Sequence, residues 1–315
     1  MSSKKFAGLS LSGGRKEKVY FCVLEHYENE DRWFLSDIRL LSKEDGFQKG
    51  PISECVEEHG IKELIVDFPL NHPHCTYCKL DCPGEAKCSE NSVSLVRDKI
   101  TSFLQFDKSK SSGNPKKYEQ DRHLRDEFKY RRDVLERKTR EHLLSKPFKR
   151  RLKNGYLPYW NRPIDFWIWS EYYDQLLELF NFSYDSFGHT SLMHLNYFDY
   201  FKRHLPSDLK FYESSIYIIL IELMKSSLIS QKTLREYTDL DLGANSKLNI
   251  IKGLESGFEI FIYNKDMETL LKKRGAFDSF LLAIAGARLY KKQNIELPSW
   301  TDFQGTNFLV PQFLE

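Results

Sequence analysis

What this 315-residue chain lacks narrows it first. No apolar run approaches the roughly 18 to 20 residues a membrane-spanning helix needs. The opening MSSKKFAGLSLSGG has no apolar stretch of secretory-signal length. Both absences predict a cytoplasmic protein without a membrane partner. Cysteine is scarce too: there are six, and four of them fall within fourteen residues, which leaves Cys22 and Cys55 to read as plain core thiols. In a cytoplasmic chain that distribution argues for metal ligation before disulfides. Net charge is small, +2, with 41% apolar and 29% charged residues, the balance of a soluble globular protein with ample chain to bury a core.

The small total conceals an uneven distribution. Between Asp107 and Gly155 there are 17 Lys and Arg against 8 Asp and Glu, a local surplus of +9. Tyr118 to Lys153 reads as helical and basic, interrupted by Pro147. Such a segment is either a solvated face or a footprint for phosphates, where cations gain affinity by releasing condensed counterions. On the second reading Arg131, Arg132, Arg150 and Arg151 are its contacts, and RNA or DNA is the partner. Tyr156 to Phe201 follows, with sixteen aromatic residues in forty-six. The spacing in FWIWSEYYDQLLELFNF and SLMHLNYFDYFKRHL suits two amphipathic helices, so most of these rings belong to a core. Tyr156, Tyr159 and Trp160, in the Pro-containing YLPYWNRP turn, are the ones placed to stack on unpaired bases. His189, His194 and His204 have no obvious partner and read as structural or solvated.

The stretch that organises the chain is Ile61 to Cys88, IKELIVDFPLNHPHCTYCKLDCPGEAKC. Ile61 to Val66, between Gly60 and Pro69, reads as a strand buried on both faces. Asp67 then falls at its carboxyl end, where open α/β sheets bind ligands. Cys75, Cys78, Cys82 and Cys88 follow in the spacing C-x2-C-x3-C-x5-C. Four thiolates so close in sequence can converge on one ion without the rest of the fold. The spacing resembles a zinc knuckle, with Cys82 near the place of that motif's histidine and Pro83-Gly84 as the turn that returns Cys88. Structural zinc is the first expectation; an iron–sulfur cluster and unmetallated thiols are the alternatives. His72 and His74 are possible substitute ligands, or polar loop residues.

Upstream, Lys5 to Ser12 and Val19 to His26 read as a hairpin around Gly13 and Gly14, and Arg32 to Leu41 as a third strand. Pro51 to His59 reads as a helix closed by Gly60. The order βββαβ, with a carboxylate ending the fourth strand, resembles the RNase H-like fold. That resemblance implies grouped carboxylates holding one or two Mg²⁺ or Mn²⁺ for phosphodiester hydrolysis: one on the first strand, one ending the fourth, often one further on, and one in the last helix. In this chain the first-strand position, within AGLSLSGG, is Ser10, which contributes no charge.

Later segments extend the resemblance. Lys210 to Ile221 (KFYESSIYIILI) reads as a strand running into a buried helix, with Glu213 at the junction. AFDSFLLAIAGARLY, from Ala276, places Asp278 at the opening of a small-residue helix, and GTNFLVP, from Gly305, follows. Together they resemble the predicted-nuclease domain-of-unknown-function family numbered 429, loosely over the N-terminal part and better from Phe211 onward. ERKTREHLL resembles an R-x-T-D-R-x-L motif of that family with Arg140 in the aspartate's place. Each carboxylate has a plainer reading as well: Asp278 as a helix N-terminal residue, Glu213 as a salt-bridge partner, Asp67 as a turn former.

The expectation is therefore an α/β protein, an RNase H-like mixed sheet flanked by helices, with a four-cysteine metal loop and a basic, aromatic-rich helical insertion. Residues 1–106 and 206–315 form the two parts of the RNase H-like domain, the first including loop 75–88, and 107–205 form the insertion. The implied activity is metal-dependent nuclease chemistry with Asp67, Glu213 and Asp278 as Mg²⁺ ligands and Ser10 at most positioning water. The rival is a catalytically inactive nucleic-acid-binding or scaffold protein, which Ser10 favours. Between Ser92 and Phe106 a helix is expected, then a polar linker over Lys108 to Lys117.

Overall fold

A computed structural model describes residues 3–11, 19–41, 50–113, 135, 137–141, 143–153, 158–180, 199, 202–239, 241–301 and 307–313. Arg131, Arg132, Tyr156, His189, His194, Gly13 and Gly14 lie outside the described residues. The chain forms two compact units. One comprises Met1–Leu70, Leu192–Glu296 and Thr306–Glu315, the other Asn71–Ser191 and Leu297–Gly305. The four-cysteine loop thus belongs with the basic and aromatic middle of the chain, and the first boundary falls after Leu70 instead of after residue 106.

The first unit is α/β. Its seven-stranded mixed sheet has the order β6-β3-β2-β1-β4-β5-β7. The strands are β1 (Ser3–Ser10), β2 (Val19–Tyr27), β3 (Arg32–Leu41), β4 (Glu63–Val66), β5 (Lys210–Ser214), β6 (Ile260–Phe261) and β7 (Phe308–Leu309). Only β2 runs against its neighbours; β1, β4, β5 and β7 are mutually parallel, so their carboxyl ends share one edge. The βββαβ start follows from the residues. Val, Tyr, Phe and Leu fill β2, where branched and aromatic side chains pack well on a pleated surface. Helix α1 (Pro51–His59) opens on a proline that needs no amide partner and closes at Gly60, whose φ of 62° suits a residue without Cβ.

Alternation assigns the two faces of the sheet. Ala7, Leu9, Leu64 and Val66 join Ile52, Cys55 and Val56 of α1 in one core cluster. The opposite face is covered by a helix running Arg274–Tyr290, α9 below. Its backbone presses so close to β1 that a Cβ on Gly8 would stand 2.0 Å from the Ser279 carbonyl oxygen and 2.6 Å from the Ala283 nitrogen. Ser279 Oγ donates to the Tyr20 carbonyl across the same contact at 2.8 Å, and to the Gly275 carbonyl of its own helix at 2.7 Å.

The second unit is helical among its described residues: α2 (Asn91–Gly113), α3 (Lys146–Lys153) and α4 (Pro163–Phe180). Helix α2 continues to Gly113, through half of the expected linker. Helix α4 buries 15 of its 18 residues, so its rings are core: Phe166 meets Phe103 and Trp300, and Tyr173 meets Phe148. The first unit adds α5 (Ile216–Lys225), α6 (Gln231–Glu236), α7 (Gly243–Phe258) and α8 (Asn264–Lys272) before α9. No helix among the described residues is long and apolar enough to cross a membrane.

Candidate functional site

The carboxyl edge of the sheet carries the first candidate. Ser10 is the last residue of β1, and Asp67 follows the last residue of β4. Because Leu9 stands level with Val66, Ser10 and Asp67 are side by side, and the Ser10 hydroxyl donates to Asp67 Oδ2. The Leu11 amide donates to Asp67 Oδ1 at 3.0 Å. Asp67 as a residue is half-buried, but its carboxyl is enclosed by protein atoms. Burial pushes its pKa up, opposed by the Ser10 and Leu11 hydrogen bonds.

Asp278 lies across from this pair on α9, the helix that covers the same face. It does not open that helix, which begins at Arg274; it sits a full turn inside, so an N-terminal capping role is excluded. It is 5% exposed. Tyr237 donates its hydroxyl to Asp278 Oδ1 at 2.7 Å, and Arg274 Nε stands 3.6 Å from Oδ2. Arg274 is also tied to the Tyr217 hydroxyl, 2.8 Å from Nη2. Burial raises the Asp278 pKa to about 6; Tyr237 and Arg274 hold it down, the Asp67 charge adds to the rise, and Lys247 opposes it. Lys247, itself 9% exposed, donates to the Leu271 carbonyl at 3.2 Å and has its pKa lowered by burial.

Glu213 does not join them, which corrects its place among the expected metal ligands. It is paired in register with Val66, and hence with Leu9, the residues that face the α1 side of the sheet. The strand position level with Asp67 is Ser214, so a one-residue difference puts Glu213 on the other face. Its carboxyl accepts the Leu70 amide at 3.2 Å. Among the described residues no three His, Cys, Asp or Glu side chains are gathered as a metal site. The arrangement at the edge is instead two carboxylates facing two cations, with every oxygen of Asp67 and Asp278 met by a donor or a positive charge.

The second candidate is the cysteine loop. All four thiols are free, with Cys82 the most exposed. The Cys75 pKa is raised to about 11 by burial and then by the negative charges of Cys78, Cys88 and Cys82, yet the four cysteines, all described residues, are not gathered as a metal site in this structure. Cys82 is lowered, first by its hydrogen bond with Tyr159. Two clamps shape the loop. Arg97 Nη1 donates to the carbonyls of Glu85, Ala86 and Cys88, each at 3.1 Å, and the Cys75 amide donates to the Pro158 carbonyl at 3.3 Å. His74 is held by Tyr77 and Glu90.

Of the expected nucleic-acid contacts, Arg150 is exposed, and Tyr159 and Trp160 are 50% and 46% exposed. Arg151 is not available, a second correction. In α3 it shares the inward face with Phe148 and Leu152, and its guanidinium lies over the Trp169 ring at 4.3 Å. Other cations of the basic stretch are also used internally: Lys138 and Arg140 pair with buried Glu171 at 3.2 and 2.8 Å, and Lys149 with buried Asp107. Lys146, Arg150 and Lys153 are exposed on α3, at helical spacing. Residues the sequence reading passed over, Tyr237, Lys247, Asp107 and Glu171, meet their partners only through the fold; Arg274 carried a signal, four residues before Asp278 on one helix. Compared with family models, curated proteins and solved structures, the chain matched none.

Proposed function

We propose that this chain is a catalytically silent RNase H-like protein of the cytoplasm that binds nucleic acid and does not cleave it by two-metal chemistry. One observation carries the reading: Asp278 is already held by Tyr237 and Arg274, while Ser10, in the place of a first-strand carboxylate, donates to Asp67. Two divalent ions a few ångströms apart need a strongly negative cradle of oxygen ligands. Here Arg274 and Lys247 balance Asp67 and Asp278, and Glu213, on the other face of the sheet, adds no charge to the edge. The fold part of the reading is supported by the βββαβ start, by β4 lying parallel beside β1, and by Ser10, Asp67 and Asp278 sharing one edge. The relation to the family numbered 429 rests on the sequence segments alone.

The nucleic-acid part is supported by the exposed cations of α3 and by the exposed Tyr159 and Trp160 rings, which suit phosphates and unpaired bases. Structural zinc on Cys75, Cys78, Cys82 and Cys88 rests on their spacing alone and would require the four thiolates to draw together, since no three of them are gathered as a metal site in this structure. An iron–sulfur cluster on the same donors would be coloured.

Fluorescence anisotropy with a labelled single-stranded oligonucleotide tests the partner. Binding should weaken steeply as salt rises, and Arg150→Glu with Lys153→Glu should weaken it for all sequences alike, because phosphate contacts carry no base information. In Mg²⁺ the oligonucleotide should stay intact. Brisk cleavage abolished by Asp67→Asn would sink the silent reading, and binding indifferent to the α3 charges would remove that helix from the contact.

A further inference from the structure

We propose that the sheet-bearing unit holds a second, small-molecule site at the far end of β1 from Ser10, built to take an organic carboxylate with a neighbouring O–H or N–H donor and an apolar body. Neither the carboxylate edge nor the nucleic-acid surface uses it.

A cavity of about 360 Å³ opens there, within the range of about 300 to 1,000 Å³ in which small ligands bind. Strand register places it. Trp33 stands level with His26 and so with Lys4, at the start of β1, whereas Ser10 ends that strand. Trp33, Ile260, Ile284 and Ala287 supply the apolar wall, from β3, β6 and the last turns of α9.

The charged groups of the lining are sorted by depth. Asp31 and Glu259 are exposed and already engaged, Asp31 with Lys291 at 2.6 Å and His26 at 2.8 Å, Glu259 with Arg32 at 4.0 Å. The buried charge is a cation. Arg288 is 8% exposed, its guanidinium lies 4.6 Å from the Phe258 ring and 5.5 Å from that of Phe313, and its Nε donates to the Gln312 carbonyl at 2.8 Å. A guanidinium oriented in this way suits a carboxylate, whose two oxygens match its planar fork of N–H groups. Gln293 stands next to it in the lining and is fixed through its backbone: its amide donates to the Arg288 carbonyl at 2.9 Å, and its carbonyl accepts the Gln312 amide at 2.8 Å. Its side-chain Oε1 is buried and accepts no hydrogen bond. A buried acceptor in that state costs free energy that a donor on the ligand would recover.

The backbone around the cavity is strained as well. Of the four non-glycine residues with positive φ among the described residues, Asp31 (46°) and Glu259 (50°) line it, and Lys292 (57°) joins Lys291 to Gln293. Glycine is the usual residue where a helix ends in this conformation, as α7 does at Glu259. Three charged residues held this way around one cavity fit a ligand site, where such strain gathers, better than three unrelated caps.

Titration calorimetry of the full-length protein with three probes, 3-phenyllactate, 3-phenylpropanoate and 2-phenylethanol, tests the assignment. The first should bind saturably. Loss of its hydroxyl, in 3-phenylpropanoate, should weaken binding about three- to tenfold, and loss of the carboxylate, in 2-phenylethanol, by about tenfold or more. Gln293→Leu, which removes the unpartnered acceptor, should fold with an unchanged or higher Tm and bind 3-phenyllactate no better than 3-phenylpropanoate. Ala287→Leu, which fills the cavity from its apolar wall, should abolish binding of all three. Absence of saturable 3-phenyllactate binding, or binding that survives Ala287→Leu, would overturn the site. Equal affinity for the three probes, or a hydroxyl preference that persists in Gln293→Leu, would overturn the ligand class and the role of Gln293.

Discussion

Gly8→Ala is expected to destabilise the sheet-bearing unit by more than about 3 kcal/mol, above the usual range for an overpacked core. The added methyl would meet the Ser279 carbonyl oxygen at 2.0 Å and the Ala283 amide nitrogen at 2.6 Å. Both are backbone atoms of a buried helix, so no rotamer change relieves the clash; α9 must lift from β1 as a body. That movement would also strain the Ser279 hydrogen bond to Tyr20. Since whole domains are stable by only about 5 to 15 kcal/mol, the change consumes a large share of the total. Urea unfolding of the two proteins measures it, and a loss below about 1 kcal/mol would mean that helix and strand are not packed this closely.

The second large effect is a pH dependence. Burial raises the Asp278 pKa from 3.8 to about 6. In the unfolded chain the carboxyl releases its proton near its ordinary value, so between about pH 4 and pH 6 the folded state holds the proton more strongly. The resulting stabilisation is full below pH 4, is lost as pH rises through 6, and then stays lost. A shift of about two units is worth on the order of 3 kcal/mol. Asp67, also raised by burial, acts in the same direction. Asp278→Asn should therefore flatten the difference between stability at pH 4.5 and at pH 7.5, and should gain stability relative to wild type at the higher pH. If the two proteins change in parallel over that range, Asp278 is not the buried, proton-retaining group described.

Much of the fold was legible in the sequence because its signals are local. The first three strands, α1 with its Pro and Gly ends, and the strand ending before Asp67 lie within a few residues of their expected places. The two-residue strands β6 and β7 were not legible, because pairing at a sheet edge leaves almost no periodic trace. Glu213 shows where local reading stops: its strand was clear, but which face it serves turns on a register shift of one residue. Arg151 is similar, since the phase of α3 against Trp169 decides whether it meets phosphate or an indole ring. The ion pairs of Asp107 and Glu171 join segments tens of residues apart, and a run of charge says nothing about which cations are already engaged.

The neutral, self-satisfied state of the carboxylate edge is tested most directly by Mn²⁺ titration calorimetry of wild type, Asp67→Asn and the double variant Ser10→Asp with Arg274→Gln. Wild type and Asp67→Asn should give the same heats, with no saturable event assigned to the edge. The double variant, which adds a carboxylate and removes a competing cation, should gain a Mn²⁺ site. Stoichiometric Mn²⁺ binding by wild type that disappears in Asp67→Asn would contradict the account, because it would mean that Asp67 and Asp278 already serve an ion in spite of Ser10 and Arg274.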